Sequence, residues 1–123
     1  MSGVELQPVE MKTGVMGDWF YMRGFERFTL PPEVANLSAV GSRVFRYGGH
    51  PVAQVALDER NCLVYVFRAT DFGVNLPEES GWRLLDNEGW VAAIRRQGET
   101  CTMITFRGSR SDMRDFLRSL NAK

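Results

Sequence analysis

The stretch VFRYGGHPVAQVALDERNCLVYVFR, residues 44–68, decides how this chain folds. It contains three runs rich in β-branched and aromatic residues, separated by Gly48-Gly49 and by the polar segment DERN. Residues of these types favour strands, and a Gly-Gly pair favours a tight turn. The stretch therefore predicts strands over 43–47, 51–57 and 62–68, joined by short turns.

The rest of the chain extends this pattern. Strands are predicted over 82–86, 90–96 and 100–107, with a longer loop over 69–81. Residues 1–9 lack periodicity and are predicted to form a loose arm, and apolar residues at helical spacing predict a helix over 10–23. A second helix is predicted over 111–120, capped by Ser109 or Ser111, with four apolar residues at i, i+3, i+4 and i+7: Met113, Phe116, Leu117 and Leu120.

This order of elements predicts an α+β fold. Short connections favour an antiparallel meander of about six strands over 43–107, and both helices need an apolar surface to pack on. We therefore expect the N-terminal and C-terminal helices to lie on the sheet. The length of 123 residues fits one domain, 1–123.

The composition excludes several classes of protein. Fifteen Lys and Arg balance fifteen Asp and Glu, which argues against a general nucleic-acid binder. No segment reaches the roughly 18 apolar residues of a membrane span. The N-terminus has no basic start followed by an apolar stretch, so we expect no signal peptide.

His50 is the only histidine in the chain, and it follows the Gly48-Gly49 turn. Metal sites need several converging ligands, whereas His50, Cys62 and Cys101 are far apart in the sequence. The sequence therefore predicts no metal, no cofactor and no catalytic residue, and His50 is expected to be an exposed turn residue. A small enzyme or ligand-binding domain that uses Cys62 or His50 remains the alternative. A disulfide between Cys62 and Cys101 also stays open at this point, and it would indicate an oxidising compartment.

The predicted sheet resembles one known family. VGSRVFRYGGHPVAQVALDERNCLVYVFR (40–68), GWRLLDNEGWVAAI (81–94), DWFYMRGFERFTLPPEV (18–34) and DMRDFLRSL (112–120) are similar to the extracytoplasmic C-terminal domain of membrane-bound anti-sigma factors. Those proteins also carry a zinc-binding module and a transmembrane helix, and this sequence has neither. The resemblance implies a sensory or partner-binding domain of such a regulator, or a stand-alone relative. It also implies a periplasmic location, whereas without it the cytoplasm is expected.

Three hypotheses for the function follow. The first is a non-enzymatic sensor or protein-binding domain, whose contact residues are Phe72, Val74 and Leu76 in the 69–81 loop together with His50. The second is the small-ligand or enzyme domain. The third is a homodimer formed through a strand such as CLVYVF at an edge of the sheet.

Overall fold

The computed structural model describes residues 7–12, 38–57, 62–77, 79 and 81–121. In these residues, strands, one short 3₁₀ helix and one α-helix follow each other along the chain in this order: β1 (Gln7–Lys12), β2 (Ser38–Tyr47), β3 (His50–Leu57), β4 (Leu63–Arg68), the 3₁₀ helix (Ala69–Phe72), β5 (Arg83–Asn87), β6 (Trp90–Gln97), β7 (Thr100–Arg107) and α1 (Arg110–Asn121). The six predicted strands and the C-terminal helix are thereby confirmed.

The strands form one antiparallel sheet in the order β1-β2-β3-β4-β7-β6-β5. The prediction of a single meander is wrong, because β4 pairs with β7 and not with β5. Two sets of consecutive antiparallel strands, β1 to β4 and β5 to β7, meet at the β4–β7 pair. The segment after β4 is too long for a hairpin, and it carries the chain from the middle of the sheet to the far edge, where β5 lies.

The N-terminal prediction is wrong where the structure describes it. Gln7–Lys12, assigned to the arm and to the start of the helix, forms β1 and pairs with β2. A strand is favoured here because pairing satisfies the backbone groups along the edge of β2, and Pro8 is tolerated in an edge strand. The remainder of the predicted 10–23 helix lies outside the described residues.

The main core lies between α1 and one face of the sheet. Alternate residues of the central strands point to this face, such as Val64 of β4 and Ile104 of β7, which are paired in register. The apolar stripe of α1 covers them, and the rings of Phe106 and Phe116 meet edge to face with centroids 5.5 Å apart. Fifteen buried residues make up this core: Ala39, Ala53, Val55, Leu57, Cys62, Val64, Val66, Val91, Ala93, Ile104, Phe106, Met113, Phe116, Leu117 and Leu120.

A reciprocal pair of hydrogen bonds caps the start of α1. The backbone N–H of Asp112 donates to the Ser109 hydroxyl oxygen at 3.1 Å, and the backbone N–H of Ser109 donates to the Asp112 carboxylate at 2.8 Å. This capping box satisfies two amides that the first helical turn leaves without partners. Of the two predicted caps, Ser109 is the one used.

The homodimer hypothesis is wrong in the form that names CLVYVF as an edge strand. That segment includes β4, which pairs with β3 on one side and with β7 on the other. Its backbone donors and acceptors face neighbouring strands on both sides, so they cannot pair with a second chain. Phe67 is also buried, so its ring is not available to a second chain.

Candidate binding site on the groove face

The sheet face opposite α1, called here the groove face, carries a second and smaller apolar cluster. Its buried members are Val52, Phe67, Ala69 and Cys101. Val52, Phe67 and Cys101 come from β3, β4 and β7, and the register aligns them across the sheet. Within the described residues α1 is the one α-helix, and it packs on the other face, so this cluster is covered by the loop that follows β4.

An apolar groove of about 280 Å³ lies beside this cluster. Its walls come from β2, β3, β4, β7 and the loop after β4, and they consist of Phe45, Tyr47, Val52, Tyr65, Phe67, Phe72, Val74 and Met103. Five of these eight residues are aromatic. Aromatic walls bury a large contact area for each side chain, as protein contact sites commonly do.

Phe72 is the centre of the ring contacts beside the groove. Its ring lies 5.3 Å from that of Phe67 and 5.6 Å from that of His50, both edge to face, and 6.1 Å from that of Tyr47. The imidazole Nδ1 of His50 lies 3.6 Å from a carboxylate oxygen of Asp71. Three of the four residues predicted as partner contacts, His50, Phe72 and Val74, are therefore neighbours at one site.

The loop that carries Phe72 and Val74 is fixed by its own hydrogen bonds. The amide of Ala69 donates to the carbonyl of Glu99 at 2.8 Å, and the amide of Val74 donates to the carbonyl of Ala69 at 3.0 Å. Gly73, which directly precedes Val74, has a φ of +62°, a left-handed conformation that glycine adopts without strain. The groove wall is thus built on a defined turn.

The fourth predicted contact, Leu76, lies farther along the loop and does not line the groove. Its carbonyl accepts a hydrogen bond of 3.0 Å from the Arg96 guanidinium, which also donates to the carbonyl of Gly98 at 2.7 Å. Arg96 therefore ties this loop to the turn between β6 and β7. Leu76 contributes through this anchoring rather than as a wall of the groove.

A polar row that was not among the predicted site residues crosses the same face. The guanidinium of Arg43 donates to the amide oxygen of Gln54, and the Gln54 amide nitrogen donates to the Tyr65 hydroxyl at 2.9 Å. Gln54 is buried, and its two bonds satisfy the amide at that position. The register of the Gly48-Gly49 hairpin, which pairs Arg43 with Gln54, is the sequence signal that could have found this row.

The two cysteines lie in different parts of the protein. Cys62 belongs to the core under α1 and Cys101 to the cluster on the groove face, and both thiols are buried. The sheet separates them, so the disulfide that the sequence left open does not form. Burial raises the pKa of the Cys101 thiol, although nearby Arg96 opposes this shift. A buried thiol with a raised pKa is a poor nucleophile.

Other kinds of site have no counterpart in the described residues. No group of three or more His, Cys, Asp and Glu side chains there could hold a metal ion. No helix there has both the length and the apolar character needed to cross a membrane.

Comparison with protein family models, with curated proteins and with solved structures finds no match to this chain. The functional conclusion therefore rests on the geometry of the groove face and its surroundings.

Proposed function

We propose that this chain is a non-enzymatic protein-binding domain whose contact site is the groove on the groove face. The observation that carries the proposal is the apolar groove of about 280 Å³ with Phe72 at its rim, beside the exposed rings of Tyr47 and His50. Tyr47 is 69% exposed, so its ring is available to a partner. Aromatic side chains are enriched at protein contact sites.

The dimensions favour a partner side chain over a whole small ligand. Small-molecule sites have volumes of roughly 300–1,000 Å³ and enclose most of the ligand. This groove lies at the lower end of that range and is open along the sheet, so it would hold one or two large apolar side chains of a protein segment. His50 and Asp71 at the rim add polar groups that can orient such a segment.

The placement of the reactive side chains supports a role without catalysis. Both thiols are buried, on opposite sides of the sheet. His50 faces Asp71 and Phe72, and neither of these residues can act as a nucleophile that an imidazole would activate by taking its proton. The alternative of an enzyme that uses Cys62 or His50 has no such support.

The proposal extends to the regulatory setting through the resemblance described above. A domain similar to the extracytoplasmic part of membrane-bound anti-sigma factors would act as the sensory or partner-binding part of a regulator, with a periplasmic location. The partner's apolar side chains would then enter the groove beside Phe72 and Val74 when the signal is received.

A peptide selection tests the groove directly. A random 12-residue peptide library displayed on phage would be selected on the wild-type protein, with counter-selection on Phe72→Ser. We expect enrichment of peptides that contain aromatic or large aliphatic residues, and a loss of affinity of about tenfold in Phe72→Ser, which corresponds to about 1.4 kcal/mol. Amide shifts in an isotope-labelled sample should centre on His50, Phe72 and Val74.

Two further variants control this experiment. Val74→Arg fills the groove without removing Phe72, and it should weaken the same peptides. Leu85→Ser removes an exposed apolar side chain that does not line the groove, and it should leave binding unchanged. Selected peptides that bind Phe72→Ser and Val74→Arg as tightly as wild type would contradict the proposal, and so would a selection that enriches no peptide.

A further inference from the structure

The outer edge of β5 is a second surface, and no residue of β5 lines the groove beside Phe72. β5 is the last strand of the sheet, and no described strand pairs with its outer side. The hairpin to β6 closes on the Asn87–Trp90 pair through Glu88 and Gly89, whose φ values of +51° and +86° fit a two-residue type I′ turn. Since antiparallel pairing alternates, the backbone amides of Leu84 and Asp86 point outward.

A cleft of about 500 Å³ runs between β5 and α1 along this edge. Its floor is apolar and its rim is basic, and it is lined by Trp82, Leu84, Arg110, Arg114, Leu117 and Arg118. The three arginines are four residues apart along α1, so they form a row beside the free edge of β5. The rise between neighbours in this row is about 6.0 Å.

The arginines of this row differ in their partners. Arg110 pairs with Asp86 at 3.2 Å, and Arg118 pairs with Asp115 at 3.5 Å. These pairs are about half exposed or more, so they are weak and can exchange partners. Arg114 is exposed and has no carboxylate within ion-pair distance among the described residues. The cleft therefore keeps a net positive charge with Arg114 at its centre.

On the groove face, opposite the arginine row, the surface beside β5 is apolar. Leu85 is 56% exposed and Trp90 is 42% exposed, and both line a shallow depression of about 340 Å³ on the groove face. An added strand at β5 would alternate its side chains between the arginine row and this depression. Residues i and i+2 of the added strand, which point to the same face, would lie about 6.6–6.8 Å apart along the strand. This spacing is close to the rise of about 6.0 Å between neighbouring arginines of the row.

We propose that an extended segment of a partner protein, with acidic and apolar residues in alternation, adds to β5 as a further strand. Its carboxylates would face Arg114 and its neighbours in the row, and its apolar side chains would cover Leu85 and Trp90. Main-chain hydrogen bonds to Leu84 and Asp86 would supply affinity, and the alternation would supply specificity. A second copy of the chain is the poorer occupant, since two-fold pairing of β5 would bring the two arginine rows together and they would repel.

A designed peptide tests this surface on the full chain. The probe is an acetylated, amidated peptide of seven residues with Glu and Val in alternation, and the control peptide has the same composition with the Glu and Val residues in separate blocks. We expect saturable binding of the alternating peptide by calorimetry. The block peptide should bind about tenfold more weakly. The amides of Leu84 and Asp86 should show the largest shifts and slower hydrogen exchange.

Two exposed arginines give a matched pair of variants. Arg114→Glu should lower the affinity about tenfold, whereas Arg46→Glu, at the opposite end of the sheet, should change it less than twofold. Equal binding of both peptides, equal loss in both variants, or no binding at millimolar peptide would overturn the proposal. If light scattering shows a dimer formed through the β5 edge, the occupant of this surface is a second copy of the chain and not a partner segment. Phe72→Ser changes the groove and leaves the β5 edge intact. Binding of the alternating peptide to this variant therefore tests the β5 proposal independently of the groove proposal.

Discussion

Replacing Phe72 by alanine tests whether the loop after β4 is packed on the groove face. Removal of a fully buried phenylalanine costs about 3–5 kcal/mol, and Phe72 is half-buried, so we expect a loss of about 2 kcal/mol in the free energy of unfolding. The ring pair with Phe67, at 5.3 Å and 88°, should supply about 1 kcal/mol of this loss. The remainder comes from the contacts with Tyr47 and His50 and from the apolar area uncovered.

Urea unfolding followed by circular dichroism measures this loss. With an m-value of about 2 kcal/mol/M, the midpoint of Phe72→Ala should fall by about 1 M relative to wild type. Leu85→Ala is the control, because Leu85 is 56% exposed and its truncation should change stability by about 0.5 kcal/mol or less. If both variants lose equally little stability, the loop is not packed on the sheet, and His50, Phe72 and Val74 do not form one surface. A double-mutant cycle with Phe67→Leu isolates the ring pair.

Three further predictions concern the supports of this site and the core between α1 and the sheet. Arg96→Met removes the charged hydrogen bonds to Leu76 in the loop and to Gly98 in the turn between β6 and β7, so it should lower stability by about 2 kcal/mol and speed hydrogen exchange at the amide of Val74, measured by NMR. The raised pKa of Cys101 means that the folded protein holds the thiol proton more tightly than the unfolded chain does. The thiol therefore makes its full contribution to the free energy of unfolding below the ordinary pKa of 9.0. As the pH rises above 9.0, this contribution is lost by at most about 1.4 kcal/mol per pH unit. Urea unfolding of Cys101→Ala between about pH 8 and 11 should not show this loss. Met113→Ala should destabilise the fold by about 2–5 kcal/mol in the same assay, because this side chain of α1 is fully buried against the sheet, and an unchanged midpoint would refute that packing.

The elements of this fold were predictable because their signals are local. β-branched and aromatic runs, glycine turns and the apolar stripe of α1 each act over fewer than a dozen residues. The strand order was not predictable in this way, since a long connection after β4 suits a neighbouring strand as well as the far edge. β1 was missed because the sequence of Gln7–Lys12 has little strand character of its own, and pairing with β2 stabilises it.

The candidate site was predictable in part for a similar reason. Phe72 and Val74 were found because apolar residues stand out in a polar loop. Their meeting with His50 depends on contacts between the loop and the hairpin, which no local pattern records. The row of Arg43, Gln54 and Tyr65 depends on strand register. The two-residue turn at Gly48-Gly49 fixes the pairing of Arg43 with Gln54, so this part of the row was predictable from the sequence.

The strand β4 shows why the groove face is the better candidate for a contact site. Its residues are almost all apolar, and the helix α1 covers only those that point to one side, Val64 and Val66. On the other side the loop covers Phe67, mainly through Phe72, while Tyr65 remains partly exposed where the groove and the Leu85–Trp90 depression both reach it. Apolar surface on a central strand is costly to leave in water, because burial of each square ångström is worth about 25 cal/mol. A partner that covers the surface around Tyr65 gains that free energy.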